Sequence, residues 1–123
     1  MLRDKAHENL ASGELLLERG HVNAAASRYY YSMYQAAVPR LEQIGLRPGT
    51  VRSGALEWDH SMVENNVSAC RKQTLDRFLF MRMRRLRSRA DYADEPALRS
   101  ELEEEVDMIR RFVREVTSWT IRE

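Results

Sequence analysis

Apolar residues recur along the chain at intervals of three and four. No stretch alternates apolar and polar residues long enough to make a half-buried strand, so the pattern predicts helices throughout. A first helix spans about Leu2 to Glu18, with Leu2, Ala6, Leu10, Leu15, Leu16 and Leu17 loosely marking one side, and stops at Gly20. A second begins after Asn23, which suits an N-cap, and runs to Ile44 with Gly45 as its stop. Val22, Ala26, Tyr29, Met33, Ala37 and Ile44 form one stripe along it and Tyr30, Tyr34 and Leu41 a second, so this helix needs two neighbours. Pro39 lacks the amide that would bond Gln35 and predicts a kink or a break.

Leu46 to Glu57 contains Arg-Pro-Gly-Thr and Arg-Ser-Gly and reads as a loop of roughly a dozen residues. A short third helix is expected around His60 to Cys70. The fourth, from about Thr74 to Asp91, places Leu75, Leu79, Met83, Leu86 and Ala90 on one stripe with Phe78 at its edge. The fifth opens near Glu95-Pro96, where a proline in the first turn and acids around it suit a helix N-terminus. It continues to about Trp119 along Leu98, Leu102, Val106, Ile109, Phe112, Val113 and Val116. The expected fold class is all-α: an antiparallel up-and-down bundle of four long helices plus one short helix, forming one domain over residues 1–123.

Composition narrows the setting. With 43% hydrophobic and 32% charged residues over 123 positions, the chain can fill one core and is too apolar for disorder. Its longest uncharged stretch, Tyr29 to Pro39, holds four tyrosines, a serine and a glutamine, which predicts no membrane span and a cytoplasmic protein. Cys70 is the single cysteine, so neither a disulfide nor a zinc site is expected. Net charge is only +1, but it is unevenly spread. Arg71 to Tyr92 carries eight basic residues against Asp76 and Asp91, whereas Ala93 to Asp107 carries seven acids against Arg99. Eighteen of the twenty basic residues are arginine, the cation that grips phosphate bidentately, although a GC-rich genome produces the same bias.

Candidate chemistry follows from these clusters. A di-metal bundle would need two Glu-x-x-His pairs; only Glu57 with His60 fits, because His7 and His21 lack the glutamate, so neither metal nor other cofactor is expected. No nucleophile elbow and no glycine-rich phosphate cradle occur. On the fourth helix Arg82, Arg85 and Arg89 fall on one flank of the apolar stripe, Arg87 lies on the other, and Arg84 points away from the core. About half of these arginines are expected to pair with acids, Arg87 with Asp91 at i+4 among them, leaving the rest for an anion such as RNA or a nucleotide phosphate. Tyr29, Tyr30 and Tyr34 read as core residues with bonded hydroxyls, while Tyr31 and Arg28 could face a partner subunit.

Three segments in order resemble the HEPN domain proteins of bacteria and archaea: Asn23 to Ala37 (NAAASRYYYSMYQAA), His60 to Val63 (HSMV) and Leu86 to Tyr92 (LRSRADY). The resemblance implies a four- or five-helix bundle that dimerises. Many members are toxins of toxin–antitoxin or antiphage systems that cleave RNA without metal, through an Arg followed four to six residues later by a His. Arg87 occupies the arginine position, but Asp91 and Tyr92 stand where that His would be, and no histidine follows His60. Neither a carboxylate nor a phenol of pKa ~10 replaces a group titrating near neutrality. The first expectation is therefore an RNA- or nucleotide-binding component using Arg84, Arg87, Asp91 and Tyr92. A competing one is a ribonuclease with Arg87 and His60 as catalytic pair, which requires His60 to fold beside Arg87. A third is a structural partner of a minimal nucleotidyltransferase, an enzyme that in this family can modify a tyrosine, here Tyr92. In each case a homodimer is expected, with the arginines of both subunits facing one cleft.

Overall fold

In a computed structural model the chain is described over residues 2–92 and 96–121. Its elements are α1 (Leu2–Glu18), α2 (Val22–Gln43), α3 (His60–Asn66) followed by a 3-10 turn (Val67–Cys70), α4 (Leu75–Tyr92) and α5 (Pro96–Ile121), with no strand among the described residues. The all-helical expectation holds, and four of the five helices are long. The third differs: its first two turns are α-helical and its last tightens to 3-10, where Asn66 turns its side-chain amide back onto the Met62 carbonyl at 2.7 Å.

The two expected glycine stops are both real. Gly20 and Gly45 adopt φ of +83° and +99°, the left-handed region that only glycine enters freely. Around each, the amide one residue on reaches back five positions, His21 to Leu16 and Leu46 to Leu41, closing the last turn and satisfying its carbonyls. Two expectations for α2 are corrected. The helix begins at Val22, so Asn23 lies within its first turn, and His21 takes the cap position without a side-chain bond. Of the kink or break expected at Pro39, the break does not occur: α2 runs on through the proline to Gln43.

The core lies around α2, whose two stripes meet different neighbours as its pattern requires. On one side Gly13 of α1 admits the Tyr29 ring, and Asn9 bonds Gln35 at 2.7 Å. On the other, Tyr30 packs on Phe80 of α4 with centroids 5.1 Å apart. From α5, Leu98, Leu102, Ile109, Phe112, Val113 and Val116 close the core. The α4 stripe departs from its expected membership, because Leu75 is 64% and Phe78 52% exposed while Asp76 is buried at 1%. A salt bridge explains the exchange: Arg71 grips the Asp76 carboxylate with two bonds of 2.8 and 2.9 Å, donates a third to Glu115 at 3.1 Å, and lies over the Phe112 ring.

The segment between α2 and α3 is folded back on itself. Thr50 and Leu56 pair as an isolated bridge, the Val51 amide donates to the Ala55 carbonyl and that of Glu57 to the Gly49 carbonyl. Its far end is tied to α2 through Trp58, whose indole donates to Glu42 at 3.0 Å.

Candidate functional site

Arg82 and Arg89 behave as ordinary surface cations of a helix beside an acidic neighbour. Arg82 is bidentate to Glu105 of α5 at 2.9 and 3.0 Å, and Arg89 pairs with Glu101. Arg84 turns to the other side, where its closest acid is Glu64 of α3 at 3.6 Å, beyond hydrogen-bond range. Arg84, Arg85, Met81 and Ser88 line one wall of an open groove there, with Glu64 opposite.

Arg87 is different. Its guanidinium lies over the rings of Tyr31 (4.9 Å) and Tyr30 (5.6 Å), and it forms no ion pair among the described residues. A guanidinium attracted to ring faces still carries N–H donors at its edges that can bond another acceptor.

The same tyrosines hold His60. Its ring centroid is 5.4 Å from that of Tyr30, 5.6 Å from Tyr34 and 6.5 Å from Tyr31, and its Nδ1 shares a short hydrogen bond with the Tyr30 hydroxyl. Thus His60 and Arg87, 27 positions apart in sequence, meet across one aromatic cluster supplied by α2. Burial and the positive charges of Arg84 and Arg87 push the imidazole pKa down from 6.5, against a weaker upward pull from Asp59, so His60 is neutral near pH 7. Burial likewise pushes the Tyr30 hydroxyl well up, which keeps it a proton-bearing phenol.

Of the residues singled out in the sequence, Arg87 and His60 therefore share one aromatic cluster, while Arg84 lines the groove beside Glu64 and acts on His60 through its charge. The backbones of Asp91 and Tyr92 form the last turn of α4, but their side chains, and the Arg87–Asp91 pairing, lie outside the described residues. Tyr29 and Tyr30 are buried in the core and Tyr34 is half-buried beside them; the Tyr30 and Tyr34 hydroxyls are bonded as expected, and Tyr31 stands against Arg87 and His60 of its own chain. The sequence signal for Tyr31 was its neighbourhood on one helix turn with Tyr30 and Tyr34; what was missing was the knowledge that α3 and α4 converge there.

Among the described residues no three His, Cys, Asp or Glu side chains gather as metal ligands, and no helix is long and apolar enough to cross a membrane. Two cations, a neutral imidazole and an aromatic wall can bind an anion with attached rings, and a neutral imidazole can accept a proton. No curated protein and no solved structure matches the chain. The model of one family, the HEPN domain, matches it over residues 1–123. With the helical fold and the three motif segments in place, the chain belongs to the HEPN domain family.

Proposed function

We propose that this chain is an RNA- or nucleotide-binding component of a prokaryotic toxin–antitoxin or defence-type system, with Arg84 and Arg87 gripping phosphate and Asp91 and Tyr92 beside them. It works in the cytoplasm as a single-domain antiparallel up-and-down bundle paired with a second copy, and a minimal nucleotidyltransferase is the fitting partner protein, with Tyr92 as its target. The observation that carries the reading is Arg87, which lies over the rings of two tyrosines with no acidic partner among the described residues. The test is titration with a short single-stranded RNA over a range of salt. Each arginine that neutralises a phosphate steepens the slope of log affinity against log salt by about 0.7, so Arg84→Ala/Arg87→Ala flattens it by about 1.4. Binding and slope untouched by both changes refute the reading.

His60 favours a second reading, metal-independent RNA cleavage. The condition set by the sequence, that His60 fold beside Arg87, is consistent with their shared packing on Tyr30 and Tyr31. In this reaction His60 takes the proton of a 2′-hydroxyl, the 2′-oxygen bonds the adjacent phosphorus, and the bond from phosphorus to the 5′-oxygen breaks. The departing oxygen takes up a proton, leaving a 2′,3′-cyclic phosphate and a 5′-hydroxyl, while Arg84 and Arg87 stabilise the charge on the phosphoryl oxygens. Purified protein should then cleave RNA in EDTA, and His60→Ala should abolish cleavage with its helical signal intact. No cleavage, or an indifferent variant, ends this reading.

A further inference from the structure

The groove between α3 and α4 holds a carboxylate with no donor. The Glu64 side chain is only 19% exposed, yet no described residue donates a hydrogen bond to it, Arg84 stopping at 3.6 Å. Across the groove, about 330 Å³ in volume, stand Arg84, Arg85, Ser88 and the apolar side chain of Met81. The charges exclude most occupants. Arg84 and Arg85 repel a cation, and Glu64 repels a phosphate placed against it. What satisfies a mostly buried carboxylate in a cationic groove is a neutral group with N–H donors, carried by a molecule whose phosphate the arginines hold. A nucleobase is such a group, and Met81 offers its ring an apolar, polarisable surface.

We propose that this groove takes a guanine base of the bound RNA and that Glu64 is its specificity-determining residue. The inference rests on reading Arg84 and Arg87 as the phosphate site. The Watson–Crick edge of guanine presents one acceptor, O6, and then two donors, N1–H and the 2-amino group. The groove presents the complement, a guanidinium beside two carboxylate oxygens. Both Glu64 oxygens accept, and Arg84, with five N–H groups, has donors for O6 as well as for a phosphate oxygen. The other bases match fewer of these groups. Adenine and cytosine each set a ring-nitrogen acceptor next to the amino group, which would meet a carboxylate oxygen lone pair to lone pair, and uracil has a single donor between two carbonyls.

Fluorescence anisotropy with labelled uridine hexamers carrying one central guanosine, inosine or adenosine reads the preference. The guanosine oligomer should bind on the order of tenfold more tightly than the adenosine one, and inosine, which keeps N1–H but lacks the 2-amino group, should fall between them. Glu64→Gln keeps the shape but removes the charge and one acceptor. In that variant the guanosine advantage should drop to about twofold or less, and adenosine binding should not weaken. Equal binding of guanosine and adenosine oligomers by wild type overturns the proposal, as does a guanosine advantage that survives in Glu64→Gln. Should that variant fail to fold, inosine bound as tightly as guanosine by wild type overturns it equally. If wild type binds none of the three oligomers, the RNA reading falls and this proposal with it; binding without preference leaves that reading standing and removes only the role of Glu64.

Discussion

Removing the Asp76 carboxylate tests the most deeply buried charge among the described residues. Asp76 is 1% exposed and accepts two bonds from Arg71, whose side chain is itself only 9% exposed. Breaking a buried pair from one side costs about 3–5 kcal/mol, because the surviving charge stays out of water without its partner. Here Arg71 retains Glu115 at 3.1 Å and the Phe112 face, so Asp76→Ala belongs at the lower end, about 3 kcal/mol. With an unfolding entropy of about 2.1 cal/mol/K per residue, each kcal/mol lowers the melting temperature of a 123-residue chain by about 4 °C, giving a fall of about 12 °C. Thermal and urea unfolding followed by circular dichroism measure it, with an unchanged urea slope as the check that the transition stays two-state. The companion variant Arg71→Leu/Asp76→Leu removes both charges and should recover most of the stability. A cost under about 1 kcal/mol for Asp76→Ala, or a double variant whose cost equals the sum of the two single substitutions, would refute the reasoning.

Two further outcomes follow from the same geometry. His60 is held neutral, so the unfolded chain binds its proton first on acidification; the stability this contributes is complete above about pH 6.5 and declines as pH falls toward the lower folded value. Urea midpoints between pH 8 and pH 5 should fall more steeply for wild type than for His60→Asn, and equal slopes would exclude the assignment. Gly13→Ala would place a Cβ 3.1 Å from the Tyr29 ring; set against the roughly 1 kcal/mol that alanine gains over glycine inside a helix, the crowding should cancel that gain, so the variant should be no more stable than wild type, whereas the exposed Ala11→Ser nearby should be within about 0.5 kcal/mol of wild type in the same unfolding assay.

Periodicity made the helices and most of the core legible, since a face that repeats every three or four residues declares itself without knowledge of its neighbour. It misassigned the inward-facing residues at the start of α4, because the buried position there is a carboxylate. Asp76 goes inside for Arg71, and the hydrophobic Leu75 beside it is left in solvent. Asn23 suited a cap by residue type, yet the Gly20 turn delivers the chain into a helix two residues earlier. At the site, Arg87 could be found by motif, as could the absence of a following histidine. That His60 stands near it is a tertiary fact: it depends on hydroxyls of Tyr30 and Tyr34 reaching residues 60 and 58, bonds that span 30 and 24 positions and leave no periodic trace.

The anchoring of residues 58–60 also makes the preceding loop expendable. Between the closed end of α2 and the Trp58 anchor, the chain returns on itself at Thr50 and Leu56, and beyond that bridge Arg52, Ser53, Gly54 and Ala55 are exposed. Length can be added at this tip without pulling on His60, because both strands leading to it are already tied down. The segment is therefore where homologous chains can drift in length, and where a fluorophore or epitope can be spliced in to report on the neighbouring cluster without rebuilding it.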